Sequence, residues 1–240
     1  MTSVCYTPFK LPRVRVTNLT SCGVPATGSC AYVVSDGIIS VEMTKEYEDR
    51  EEFFVKNGDG VFCVKETNPP ILKWINLVYT FCNVDPELVN IMTQEPIYYD
   101  NASSPNAIGF STQEGTAALN NFAFEGWTRI SGLSTPCTGG TEYGYVIFPW
   151  NVEGTVGDIT FENGTVSFVV NARTRSGSLW GTGPFYVDYS DNPAGSTTNQ
   201  AMNTAIGSTQ HHRMFLTRKP PPTASCGCQA LNSLTPSGPL

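Results

Sequence analysis

Two adjacent histidines, His211 and His212, followed by Cys226-Gly227-Cys228, are the residues of this chain whose types could hold a metal. Their spacing argues against it. Neighbours on a strand point to opposite faces, so the two imidazoles do not converge on one ion. Zinc sites use Cys-x₂₋₄-Cys spacing, and a Cys-x-Cys in a proline-rich stretch does not match. The expectation is no metal. Acidic pairs such as Asp158 and Glu162 would suit a glycosidase if they flanked a sugar. On a hairpin they read more simply as surface carboxylates. With two histidines and no Gly-x-Ser-x-Gly, no activated nucleophile is indicated. "GTGP" and "TGGTEYG" lack the Lys-Ser/Thr and the helix of a phosphate loop. "WGTGP" (180–184) reads as a strand start or bulge packed on an aromatic. The expectation is therefore a protein without catalytic residues and without a cofactor.

The 240 residues carry a net charge of −7, with 15% charged residues against a usual ~25%. An acidic chain is unsuited to holding nucleic acid, which needs Lys and Arg clusters on phosphates. The 40% hydrophobic and 11% aromatic residues suffice for a large core. No apolar run approaches the ~20 residues of a membrane helix, and the N-terminal stretch has no signal-peptide h-region. Synthesis in the cytosol is the expectation, and the three Asn-x-Ser/Thr matches at Asn18, Asn101 and Asn163 then carry no meaning. Of the eight cysteines, Cys22 and Cys30 flank a short loop, "CGVPATGSC", and are a candidate bridge; the alternative is that both stay reduced. Cys63 and Cys82 read as half-buried thiols in apolar strands.

Strand patterns dominate. "RVRVTNL" (13–19) alternates, "AYVVSDGIISVEM" (31–43) reads as two strands kinked at Asp36-Gly37, and "ILKWINLVYTFC" (71–82) reads as a core strand apolar on both faces. Between them, 42–70 reads as an extended charged excursion. Its first part, "EMTKEYEDREE", holds six acids and two bases, and its second is a hairpin around Asn57-Gly58-Asp59-Gly60. Residues 98–107 read as a loop. Further strands are expected near 108–112, 117–128, 143–150, 179–189 and 212–218, with a hairpin at 157–173 turning on Asn163-Gly164. Residues 132–142 and 190–210 read as loops, the latter flexible, and 219–240 as a proline-rich tail with no core to build. A single β domain over 1–218 results. One helix interrupts it, in "FCNVDPELVNIMTQEP" (81–96). Asp85 stands at the N-cap, Pro86 at the first helical position, and Val84 and Val89 form a staple. Leu88, Val89, Ile91 and Met92 form one apolar stripe, and Pro96 ends the run.

Taken in order, "RVTNLTSCGVPATGSCAYVVSDGIISVEMT", "LKWINLVYTFCNVDPELVNIMTQ", "FENGTVSFVV" and "LWGTGPFYV" resemble the major tail proteins of long, non-contractile-tailed phages of actinobacteria. The resemblance covers most of residues 13–228; the loop 190–210 and the tail beyond 228 have no counterpart in it. It implies a mainly β tail-tube fold, with two packed antiparallel sheets (sandwich or barrel) flanked by a short helix. It further implies homo-hexameric rings whose inner sheets join into one β-barrel, stacked into a tube for genome ejection. The implied partners are other copies of the chain, the tape measure, tail terminator and distal tail proteins, and DNA passing through the lumen without specific binding. The implied location is the virion tail, assembled in the host cytoplasm. In such proteins the long loop reaches the adjacent ring. That places ring-to-ring contact on Glu42, Lys45, Glu46, Arg50, Phe53 and Phe54, with Arg13, Arg15 or Arg173 as complementary cations. Asp85, Pro86, Leu88, Ile91 and Met92 are expected to be structural. The competing reading is a virion adhesin or decoration β-sandwich that binds host carbohydrate through Trp74, Trp127, Trp150 or Trp180.

Overall fold

The computed structural model describes residues 7–50, 52–83, 85–114, 120–130, 143–162, 165–177, 206–217 and 220–231. Thirteen strands and one helix are assigned among them. The strands are β1 (Pro8–Asn18), β2 (Gly28–Ser35), β3 (Ile38–Tyr47), β4 (Glu52–Lys56), β5 (Phe62–Thr67), β6 (Leu72–Phe81), β7 (Ile97–Tyr99), β8 (Ala107–Phe110), β9 (Asn121–Ile130), β10 (Tyr143–Glu162), β11 (Thr165–Thr174), β12 (Arg213–Thr217) and β13 (Ser225–Leu231); α1 spans Pro86–Thr93. The protein is mainly β, with antiparallel sheets consistent with a β-sandwich.

The main sheet runs β13-β2-β1-β9-β10-β11-β6-β3, with β12 also paired to β10. One strand makes this path fold over. The first half of β10 pairs with β9 and β12, and its second half pairs with β11. Its register shifts near Phe148/Asn151 and again before Thr155 mark bulges, where a strand can bend from one layer to the other. The outcome is visible in the core. Val14 and Val16 of β1 and Phe122 and Phe124 of β9 share one cluster with Leu77, Tyr79 and Phe81 of β6 and Phe168 and Val170 of β11. Tyr79 lies 4.6 Å from Phe124, and Phe81 stacks on Phe168 at 5.1 Å.

The helix forms where the sequence puts it. The Asp85 Oδ1 accepts from the Glu87 and Leu88 N–H groups at 3.0 and 3.3 Å, and Pro86 occupies the first turn. Leu88, Val89, Ile91 and Met92 are buried in the main core. The last turn closes on Gln94, left-handed at φ 60°, whose N–H reaches Asn90 O at 2.7 Å, so the helix ends before Pro96 acts. Gly154 lets the helix approach β10, because a Cβ there would overlap the Met92 carbonyl oxygen. Asn120 ties the two, accepting from Gly154 N–H and donating to Ile91 O. Val84, the outer half of the expected staple, lies outside the described residues.

Several expectations need correction. Cys30 is bonded to Cys228, and Cys22 is an exposed free thiol. The loop closed by Cys22–Cys30 gave a local solution; the sheet order brings β13 beside β2 instead. The tail is accordingly not without structure: β13 pairs with β2, and Leu231 is buried. Cys63 and Cys82 are exposed, because β5 stands clear of the core and Cys82 has passed the end of β6. β6 is not buried on both faces; Ile75, Leu77, Tyr79 and Phe81 face the core while the alternate residues are partly exposed. Residues 42–47 are strand, paired with β6 from Glu42↔Val78 to Tyr47↔Leu72, so the excursion begins only after them. The expected loop at 98–107 is a hairpin of β7 and β8, its turn held by Asp100, which accepts from Asn106 N–H at 2.9 Å. The strands expected at 143–150 and from 157 are one continuous β10. The hairpin to β11 pairs Glu162 with Thr165 across Asn163-Gly164, themselves outside the described residues. The readings for 132–142 and 179–189 also lie outside them, as does most of 190–210, of which Ile206 is buried and 207–210 turn.

Candidate assembly surface

After Tyr47 the chain leaves the sandwich, and Glu48 N–H to Ile71 O, at 2.8 Å, closes the base of the departure. β4 and β5 pair only with each other, from Glu52↔Thr67 to Lys56↔Phe62. The turn is built by its sequence: the Asn57 side chain accepts from Asp59 and Val61 N–H, and Gly60 supplies φ +79°. Every residue from Glu52 to Thr67 is exposed. Phe53 and Phe54 are 54% and 44% exposed, and Val55, Val61, Phe62 and Val64 share this state. Successive residues of a strand face opposite ways, so both faces of this arm carry apolar groups in water. Phe54 and Phe62 cover each other in part, 5.7 Å apart.

The arm leaves from one end of the β3-β6-β11 layer, beside the Tyr47↔Leu72 pair. At the opposite end, beyond the Ile38↔Phe81↔Phe168 row, the β10–β11 hairpin runs past the core. There Phe161 is 79% exposed, with Ile159 and Val166 beside it. The two ends therefore present different apolar surfaces. Along the side of the same layer, β3 terminates the sheet path, and Ile39, Met43 and Tyr47 on it are exposed. Its outer edge has no strand partner among the described residues.

Of the residues expected at the ring contact, Phe53 and Phe54 lie on the arm, Arg50 on the approach to it, and Glu42, Lys45 and Glu46 on β3; all are exposed. The expected complementary cations are each engaged within the subunit. Arg13 pairs with Asp36 at 2.9 Å, Arg173 pairs with Glu153, and Arg15 is buried against Glu125 at 2.5 and 2.7 Å. The Arg15–Glu125 pair also takes the Tyr145 hydroxyl, 2.6 Å from Glu125, on the outer face of β1-β9-β10. Burial disfavours the Arg15 charge, yet the Glu125 carboxylate outweighs it and the guanidinium pKa is raised. Burial, then the same carboxylate, pushes the Tyr145 phenol well up. A buried, mutually bonded cluster of this kind positions strands.

The other chemistry-bearing residues are likewise absorbed by structure. His211 is buried, 2.8 Å from the Thr174 hydroxyl through Nδ1. That hydroxyl also accepts from Ile75 N–H, so Thr174 joins His211 to the β6 backbone. Burial, and secondarily His212, hold the His211 pKa below its ordinary value. His212 stacks on Phe148 instead. Cys30, Glu87 and Cys228 are the only cluster of three thiol, imidazole or carboxylate groups within 4.8 Å of one another among the described residues, and its sulfurs are bonded together. Asp158 is exposed on β10. A cleft of about 480 Å³ lies near the arm's root, lined by Lys73, Trp74, Glu153, Arg173 and Arg175 among others. Arg173 lies over Trp74 and Arg175 over Trp150, while Trp127 is buried against Tyr145. Two of the tryptophans expected to bind a sugar thus carry guanidinium groups and a third is buried; Trp180 lies outside the described residues.

Comparison with protein-family models and with curated proteins finds no match to this chain. Sequence reasoning missed Phe161 and its neighbours. The signal was present in "DITFENGTVSF", a hairpin whose alternate residues stay apolar up to the turn, where no core reaches.

Proposed function

We propose that this chain is a self-assembling structural subunit of the tail-tube type, whose copies close into rings and whose rings stack into a hollow tube that passes DNA. The observation that carries the reading is the arm of residues 52–67, apolar and exposed on both faces. Exposed apolar surface of this extent marks an interaction site in a protein that stays soluble. The apolar arm at one end and the Phe161 hairpin at the other form an unlike pair, as a head-to-tail contact requires. The unpaired edge of β3 supports lateral closure, since ring formation removes sheet edges that would otherwise pair at random. The net charge of −7 suits a channel through which phosphates slide without being held.

Electron microscopy of the purified chain tests this reading. Rings or tubes with a central channel are expected, with no turnover on a panel of sugars and esters. A particle that is monomeric at every concentration and salt tried overturns it. Discrete oligomers that bind carbohydrate would favour the adhesin reading instead.

A further inference from the structure

β13 is held at the sheet edge by an unusual concentration of contacts. Cys228 is bonded to Cys30 of β2, and the Asp85 Oδ2 accepts from Gly227 N–H at 2.9 Å while Oδ1 caps the helix. The Glu87 carboxylate accepts from Cys228 N–H, and Leu231 is buried. The pairing itself is poor, with register shifts on both sides of Gln229. The site is thus a specific receptor for this one segment, and it does not depend on a long regular ladder.

The connection to that receptor is short. β12 lies beside β10, so reaching β13 means crossing β10, β9, β1 and β2. Those five interstrand spacings amount to roughly 24 Å across a flat sheet. The ends are also offset along the strands: Thr217 stands level with Arg129, through Tyr143, while Ser225 stands level with Glu125, through Val34 and Arg15. The path from Thr217 to Ser225 has eight residue steps, and Pro220, Pro221 and Pro222 hold part of it extended. At ~3.1 Å per residue in the polyproline conformation it reaches about 25 Å. The span and the reach are thus of similar size. A short, stiff hinge next to a self-sufficient docking segment is the arrangement that favours exchange of that segment between copies.

Resting on the self-assembly reading above, we propose that in the assembled state β13 of one copy docks on β2 of the next, so that Cys30–Cys228 becomes a bond between subunits. Every contact of β13 is available in trans, because Cys30, Asp85 and Glu87 belong to the receptor and Gly227, Cys228 and Leu231 to the segment. The covalent change is balanced thiol–disulfide exchange. A thiolate attacks the bond within one subunit, the displaced thiolate attacks the bond of a neighbour, and the initiating thiolate is returned at the end. Each subunit keeps one disulfide, and no oxidant is consumed. Either glutathione in the buffer or Cys226, exposed and two residues from Cys228, supplies the initiating thiolate.

The test mixes equal amounts of full-length chain in natural-abundance and ¹⁵N-labelled form, assembles them in a glutathione buffer, and quenches with N-ethylmaleimide. Mass spectrometry then reads the Cys30–Cys228 peptide pair. Exchange predicts about half of these pairs as light–heavy hybrids, since neighbours in a closed ring are drawn at random. A covalent ladder on a non-reducing gel is also expected, lost in Cys228→Ser and kept in Cys226→Ser. Lengthening the strap by six Gly/Ser residues at Pro220 should return the bond to within the subunit and lower the hybrid fraction. Assembled particles whose pairs are all light–light or heavy–heavy overturn the exchange while leaving the assembly reading intact. A chain that stays monomeric overturns both.

Discussion

The helix α1 and the β4–β5 arm have similar material and opposite fates. Both are short, both are fixed locally by a side chain, Asp85 at the helix start and Asn57 in the hairpin turn, and both carry large apolar residues. Leu88, Val89 and Met92 are fully buried, whereas Phe53, Phe54 and Phe62 are about half exposed. What differs is the opposite surface: β1, β8 and β10 pack on the helix, whereas among the described residues neither another strand nor the helix packs closely on the arm. Local sequence decides that each element forms. Its burial is decided by what the rest of the molecule sets against it.

The comparison breaks most sharply at Leu88. Leu88→Asp places a charge in a sealed core, and loss of soluble folded protein is expected, read by expression and circular dichroism. Next comes Glu125→Ala, which leaves Arg15 buried without its partner; denaturant melts should show a loss of about 3–5 kcal/mol. Asp85→Ala removes the helix cap and the acceptor for Gly227 N–H together. A loss of ~1–2 kcal/mol is expected, with faster amide exchange at residues 225–231. Acid should act through His211. Its folded pKa is lowered, so the unfolded chain takes up the proton first as pH falls below about 6.5, and stability declines from there down to the folded pKa. Titrating stability with and without His211→Gln measures the effect; an equal slope in both would assign it elsewhere. The smallest change is expected on the arm. Phe53→Ser with Phe54→Ser should alter subunit stability by less than about 0.5 kcal/mol. The same pair should abolish stacked tubes under the microscope, and normal tubes from this variant would remove the arm from the contact.

The helix was legible because capping is local: Asp85, Pro86 and the stripe sit within a dozen residues. The arm was legible as a hairpin for the same reason. Its boundary was not, because nothing in "EMTKEY" announces that these six residues pair with β6 across the sheet. The disulfide was misread by the same logic. Cys22 and Cys30 are close in sequence, but Cys30 meets Cys228 across a separation of 198 residues, which only the strand order determines. The availability of cations followed suit: Arg13, Arg15 and Arg173 look free in the sequence and are each engaged by an acid brought from elsewhere.

The double allegiance of β10 has a kinetic consequence. Neither layer can be completed without it, and β1 must wait for β9, more than a hundred residues later in the chain, while β2 must wait for β13. A nascent chain therefore accumulates strands with unsatisfied edges before the strand that folds one layer over the other is available. Proteins dominated by such distant pairings fold on the millisecond-to-second scale and expose sticky intermediates on the way. A refolding experiment should show one slow phase whose rate is sensitive to substitutions at the bend of β10. The interval before β10 is in place is then when unpaired strand edges are most numerous.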